Sequence, residues 1–202
     1  MRYTGARGKK ARRLGQAFTN KEGKVLRRRS GFPGQHPDTR SRLSEFGLQL
    51  KEKQKAKFAY GVLEKQFYNY FLKAQAQPGV TGNNLLMLLE QRLDNVVYRL
   101  GYGETRSQAR QLVSHGFFRV NGKKLTVPSA AVRVGDVITV GETKAKTKFM
   151  QTVKDKLKAV TPPDWLDLDA AHLKAKVLSQ PTYEDMDKAI NTQLIVEHYS
   201  RI

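Results

Sequence analysis

Between residues 92 and 122 the hydrophobic pattern changes character twice. Leu93, Val96, Val97 and Leu100 keep the three-and-four spacing of one helical face. Gly101 and Gly103 interrupt it, and Thr105-Arg106-Ser107-Gln108 then has the Ser/Thr-x-x-Glu/Gln form in which side chains and backbone amides cap each other, so a second helix starts at Thr105. Its apolar residues are Ala109, Leu112 and Val113, while Arg106, Ser107, Gln108, Arg110, Gln111 and Ser114 cover the rest of its surface with donors. After Gly116, suited to a left-handed cap, Phe117 to Val120 reads as a strand, Asn121-Gly122 as a two-residue hairpin turn and Lys124 to Val127 as the return strand. Lys123 and Lys124 sit at the tip.

Upstream, residues 45 to 58 are good helix formers in which Lys51, Lys53, Lys55 and Lys57 fall among Leu48, Leu50, Ala56 and Phe58, predicting a basic helix with a phosphate-facing surface. Glu64 to Gln75 follows as a helix whose Phe67, Tyr70, Phe71 and Ala74 share one side; that spacing makes them core. Gln77-Pro78-Gly79 ends it, and Asn83 or Asn84 is placed to cap a helix through Leu85, Leu86, Leu88 and Leu89. Downstream, Val137 to Val140 reads as a short strand of a small antiparallel sheet, and residues 147 to 159 as a further basic helix around Phe149 and Val153. Past Pro162-Pro163 acidic residues outnumber cations, which suits a surface facing protein or water. Asn191 caps a last helix in which Leu194 meets His198 and Ile195 meets Tyr199.

Residues 1 to 42 show no apolar periodicity of any length. They hold Arg7, Lys9, Lys10, Arg12 and Arg13, then Arg27, Arg28 and Arg29, then the turn-rich Gly31-Phe32-Pro33-Gly34-Gln35-His36-Pro37. Such a segment buries too little surface to offset its backbone entropy, so the expectation is an arm that gains order on phosphates. The whole chain has 37 Lys and Arg against 18 Asp and Glu, a formal charge of +19, and 17 of those cations against 4 of the acids lie in residues 1 to 60. The charge calls for a polyanionic partner. With no apolar stretch near the roughly 18 residues of a membrane span and no apolar signal core, that partner is nucleic acid rather than membrane. No cysteine is present, and His36, His115, His172 and His198 are scattered, so no metal, cofactor or redox chemistry is expected.

No catalytic set assembles either. Gly101-x-Gly103 lacks the third glycine and the preceding strand of a dinucleotide site, no nucleotide-hydrolase phosphate loop occurs, and Ser114-His115 are adjacent, without triad logic. His115 fits as the end of the second helix, where the dipole favours a cation. The chain reads as a binding protein, not an enzyme.

Arg92-Leu93-Asp94, Gly101, Thr105-Arg106, Ala109, Leu112, Gly116 and Val120-Asn121-Gly122 together resemble the small RNA-binding module named after ribosomal protein S-four. The resemblance extends to the bacterial or organellar S-four family through Arg2-Tyr3-Thr4-Gly5, Pro33-Gly34-Gln35-His36, Leu50 to Lys55, Gly82 to Tyr98, Trp165-Leu166 and Leu194 to Ser200. It implies an α+β fold: a basic N-terminal arm over residues 1–42, a helical domain over residues 43–91 completed by about 175–202, and an inserted α/β RNA-binding module with its following segment over residues 92–174. It implies a structural protein of the small ribosomal subunit that binds small-subunit ribosomal RNA directly as a primary assembly protein. The resemblance further implies a place near the channel through which messenger RNA enters, a part in translational accuracy, contact with neighbouring protein S-five, and in some relatives control of their own messenger. Its location would be the ribosome of the cytoplasm, or of an organellar matrix or stroma if organelle-encoded. Many relatives hold zinc through four cysteines in the arm; here Arg7-Gly8-Lys9-Lys10 and Lys21-Glu22-Gly23 stand in that stretch, as in the zinc-free form.

The recognition expected is of shape and phosphate, because side chains do not read the deep groove of A-form RNA. Arg92, Arg106, Arg110, Lys123 and Lys124 are the expected phosphate clamps, with hydrogen bonds from Ser107, Gln108, Gln111 and Asn121. Arg7, Lys9, Lys10, Arg12, Arg13, Arg27, Arg28, Arg29, Lys51, Lys53, Lys55 and Lys57 add charge from the first third of the chain. Two alternatives stand beside this. Pseudouridine synthases often carry the same module and use an Arg-Leu-Asp catalytic motif, but Asp94 falls on a helix inside the module, where a helix-surface or capping role is expected. A winged helix-turn-helix DNA regulator fits two helices and a hairpin, but not the basic arm.

Overall fold

The computed structural model describes residues 5–29, 31–35 and 42–201; Arg2 to Thr4, His36 and Pro37 of the motifs above lie outside the described residues. In chain order the elements are α1 (Arg7–Leu14), α2 (Asn20–Arg28), α3 (Glu45–Ala59), α4 (Glu64–Gln75), α5 (Thr81–Glu90), α6 (Leu93–Arg99), α7 (Arg106–Ser114), β1 (Phe118–Val120), β2 (Lys123–Lys124), β3 (Val137–Val140), α8 (Glu142–Ala145), α9 (Lys148–Leu157), β4 (Leu166–Asp169), β5 (Lys174–Val177), a 3-10 turn (Tyr183–Asp185) and α10 (Thr192–Ser200). They form two compact units. One holds the described residues up to Asn83 and those from Asp187 onward; the other runs from Asn84 to Met186. The boundaries expected near 91 and 174 therefore shift. Glu90, fully buried, accepts from Asn95 and Arg99 and so ties the end of α5 to α6, while β5 joins the sheet and keeps residues 174–177 with the second unit.

In the first unit α10 lies along α3, capped by Asn191, whose side chain accepts from the amides of Gln193 and Leu194. Tyr199 packs its ring against Phe71 (centroids 4.6 Å) and Phe67 (6.3 Å) of α4, so these two aromatics are core as expected, while Tyr70 is only partly buried. Gly82 allows the start of α5 to meet α10, since a Cβ there would stand 2.6 Å from Thr192. α5 itself begins at Thr81, which puts Asn83 and Asn84 inside its first turn and not at its cap.

Where no period was legible, residues 7–28 are two helices. α1 and α2 pack together with Ala11 and Leu14 buried and Gly8 facing Val25. Thr19 accepts from the Glu22 amide (3.3 Å), and the Glu22 carboxylate accepts in return from the Phe18 amide (2.8 Å). These residues thus carry secondary structure where no apolar period is legible. Helices of 8 and 9 residues are shorter than the windows in which a period shows, but Thr19-x-x-Glu22 was a readable capping signal.

Two groups make this unit acid-sensitive. Burial works to raise the Glu64 pKa, but hydrogen bonds from Lys53 (2.7 Å), Lys57 (2.8 Å) and the Tyr199 hydroxyl (3.0 Å) outweigh it and bring the carboxyl to about 2. His198 is 2% exposed beside Phe46, and burial, with Lys53 nearby, lowers its pKa. A depressed histidine costs stability as pH falls through its unfolded value of about 6.5, and a depressed carboxylate costs it below about 4.3. The Glu64 share is reduced by solvent screening because its side chain is 46% exposed. Thermal midpoints should therefore fall from pH 7 downward in two stages, and His198→Gln should flatten the upper one; a midpoint constant over the range would contradict this.

In the second unit, Leu93, Val96, Val97, Leu100, Ala109, Leu112 and Val113 of α6 and α7 share one core with Phe118, Ile138, Leu166, Ala175 and Val177 of the sheet and Met150, Val153 and Leu157 of α9. The sheet is antiparallel throughout, in the order β2-β1-β3-β5-β4. β2 is shorter than the return strand expected, and the β4-β5 hairpin was not expected at all. Its alternation, Leu166-Asp167-Leu168-Asp169 and Lys174-Ala175-Lys176-Val177, is a period-two signal overshadowed by the charge. Asp167 stands opposite Lys176 and Asp169 opposite Lys174, so those acids stabilise strand pairing.

Candidate nucleic-acid interface

The opening of the module is a polar network. Arg92 is 3% exposed and grips Asp94, itself 4% exposed, with Nε to Oδ1 (3.1 Å) and Nη2 to Oδ2 (2.7 Å). Arg110 adds Nη1 to Asp94 Oδ2 at 3.1 Å from the neighbouring α7. The next pair continues it: Asn95 donates to Glu90 Oε2 and accepts from Arg106 Nε (2.7 Å), while Arg99 closes on both Glu90 oxygens and on the Asp185 carbonyl. The Leu93 and Asp94 amides, which α6 cannot satisfy within itself, donate to the carbonyls of Ala130 and Pro128. Arg92-Leu93-Asp94 is therefore a fastener between α6, α7 and the 128–131 loop. Arg92 is not placed to clamp phosphate, and Asp94 is neither a surface residue nor a simple cap.

Other predicted contacts are also engaged by the protein itself. Asn121 adopts φ 50°, donates to Asp136 Oδ1 (2.8 Å) and accepts from the Val137 amide (2.9 Å), so it locks the hairpin turn onto β3. Lys53 is buried on Glu64, Lys57 shares that carboxylate, and Lys55 pairs with Glu52 (2.5 Å). Arg12 donates to the carbonyls of Gly31 and Phe32, both at 2.9 Å. These five, expected at the RNA, each have a partner within the protein. Thr105 caps α7 as predicted, accepting from the Gln108 amide, while the Gln108 side chain accepts from the Glu104 amide, one residue earlier than a capping box would have it.

What is left forms two basic surfaces, one per unit. In the first, Arg7, Lys9, Arg13, Arg27, Arg28 and Arg29 are exposed on the α1-α2 pair, and Lys51 has no carboxylate partner among the described residues. In the second, Lys123 and Lys124 are exposed at the hairpin, Gln111 and Ser114 are exposed on α7, and Ser107, Arg106 and Arg110 are partly so. Arg106 lies 4.7 Å from the Tyr98 ring centroid, a stacked guanidinium with one edge on Asn95. Gly116, at φ +68°, lets Lys124 fold across the end of α7, because a Cβ there would collide with Lys124 Cε.

Arg119 was missed. It is exposed and directly opposite Lys124, and like charges across a strand pair disfavour the sheet unless an anion lies over them. The single residue between buried Phe118 and partly buried Val120 carried that signal. Exposed Arg133, Lys146 and Lys148, and Lys144 over the Phe117 ring at 5.0 Å, extend the basic surface of the same unit.

Residues 2–90 match the model of the ribosomal protein S4/S9 N-terminal domain, and residues 91–138 match that of the S4 domain. The small ribosomal subunit protein uS4 of Roseiflexus sp. strain RS-1 is 52% identical over 204 residues, covering 99% of both chains. That of Chloroflexus aurantiacus is equally similar, and that of Clostridium tetani is 49% identical over 208 residues, again covering 99% of both. The chain belongs to the uS4 family of small ribosomal subunit proteins. The family is structural and non-enzymatic, which closes the pseudouridine synthase alternative and agrees with the use of Asp94 as a fastener. Membership in uS4 makes the chain an RNA-binding component of the small ribosomal subunit, with an α+β fold carrying an S4 domain. No helix among the described residues is long and apolar enough to cross a membrane.

Proposed function

We propose that the protein binds small-subunit ribosomal RNA as a primary assembly protein, by phosphate and shape recognition through two basic surfaces. The observation that carries this reading is Arg119 directly opposite Lys124, a like-charged pair that a polyanion would relieve. Arg7, Lys9, Arg13, Arg27, Arg28, Arg29 and Lys51 act from the first unit; Arg106, Arg110, Arg119, Lys123 and Lys124 act from the second, with Ser107 and Gln111 adding hydrogen bonds. Family membership supports a place near the messenger channel, contact with protein S-five, a part in translational accuracy and a cytoplasmic ribosome as the site of action. The arm works without zinc, since Ala11, Leu14 and the Thr19-Glu22 cap do the holding.

If about ten cations engage, the logarithm of the association constant for small-subunit ribosomal RNA should fall with the logarithm of salt at a slope of roughly −7 to −9. A shallow slope, or displacement of the RNA by an equal concentration of duplex DNA, would refute the proposal.

A further inference from the structure

The first unit holds a cleft of about 520 Å³ among α1, Phe32, α3 and Val62-Leu63, within the roughly 300–1,000 Å³ range of ligand sites. Its lining combines an apolar floor with Lys10, Arg13, Lys51 and Lys57 and includes no carboxylate among the described residues. Three features distinguish it from a gap between helices. Phe32 is 45% exposed at its mouth, and the two Arg12 hydrogen bonds to the Gly31 and Phe32 carbonyls hold that segment in place. Lys10 and Lys57 set their ammonium groups 5.0 and 5.3 Å from the Phe58 centroid, so ring and cations are presented together. Arg13 and Lys51, unlike Lys53, Lys55 and Lys57, have no carboxylate partner among the described residues.

A flat apolar group joined to phosphates satisfies both halves of such a site. Bases stack on aromatic side chains whatever their identity, and unpaired RNA bases are those free to do so. We propose that the cleft receives one unpaired base of the bound RNA, stacked on the exposed ring of Phe32 and lying against the Phe58 side of the cleft, with its flanking phosphates on Arg13 and Lys51. This rests on the RNA-binding reading above and adds to it a contact made through a base rather than through phosphate alone. An acidic, apolar protein segment would also fit the chemistry; the polyanion that the net charge already demands favours RNA.

The test is photo-crosslinking of the full chain to small-subunit ribosomal RNA, with peptide–nucleotide adducts located by mass spectrometry and affinities measured over a salt series. The expected adduct is a single nucleotide on the peptide containing Phe32 or Phe58. Phe32→Ala, a change at an exposed position, and Phe58→Leu, which keeps an apolar side chain, should each lose that adduct and weaken binding about tenfold at an unchanged salt slope. Arg13→Gln with Lys51→Gln should instead make the slope shallower by about two and retain the adduct. Wild-type affinity in both phenylalanine variants, or no adduct at either peptide of the unaltered chain, would overturn the cleft proposal alone, because a steep slope would still stand. A protein cross-link at Phe32 in reconstituted subunits would overturn it in favour of a protein occupant, and absence of RNA binding by the unaltered chain would overturn the reading beneath it.

Discussion

Replacing Asp94 with alanine should destabilise the second unit by about 3–5 kcal/mol, because it takes from the Arg92 guanidinium, 3% exposed, the carboxylate that neutralises it. Arg110 loses the same partner but is partly exposed and turns to water at lower cost. A surface helix cap would cost only about 1 kcal/mol, so the size of the effect separates the two roles. The chain has one tryptophan, Trp165, buried at 2% exposure in the core of this unit, and its fluorescence follows the unit separately from the rest. With a urea dependence of about 1–3 kcal/mol per molar, the midpoint should fall by about 1–5 M. Asp94→Asn keeps acceptors without the charge and should lie between. Replacing the pair together, Arg92→Met with Asp94→Leu, should recover much of the loss, since apolar groups in place of a buried ion pair are often neutral. A change of under about 1 kcal/mol in Asp94→Ala would remove the fastener role.

The same residues show what sequence disclosed and what it withheld. α6, the Thr105 cap, the left-handed Gly116 and the Asn121-Gly122 turn were legible because each obeys a rule that acts within four residues. Which cations face outward was not legible. Lys51 and Lys53 are two residues apart on one basic helix, yet Lys53 is buried on Glu64, eleven residues on and in the next helix. Asn121 was placed in the right turn, but its amide is committed to Asp136, fifteen residues away. Charge density thus predicted the partner class correctly, whereas the choice between an internal salt bridge and a phosphate contact depended on tertiary neighbours. Arg12 is a further case, an arginine of the basic arm whose donors go to backbone carbonyls nineteen and twenty residues away.

Removing residues 1–42 should flatten the salt dependence of RNA binding more than any single substitution in the S4 domain. That segment holds 13 Lys and Arg against two acids, and Arg7, Lys9, Arg13, Arg27, Arg28 and Arg29 are exposed on α1, α2 and the residue after α2. If those six engage phosphates, the slope should become shallower by about 4–5, against under about 1 for Lys123→Ala. Truncation also strips α1 from α3, so lost affinity alone would be ambiguous. Changing the six residues to glutamine resolves this, because glutamine is a good helix former and Ala11, Leu14 and the Thr19-Glu22 cap remain. The glutamine variant should reproduce the shallow slope of the truncation while keeping its helical signal and melting midpoint. A slope unchanged in both would assign the polyelectrolyte contact to the second unit, where Arg119, Lys123 and Lys124 would then have to supply it.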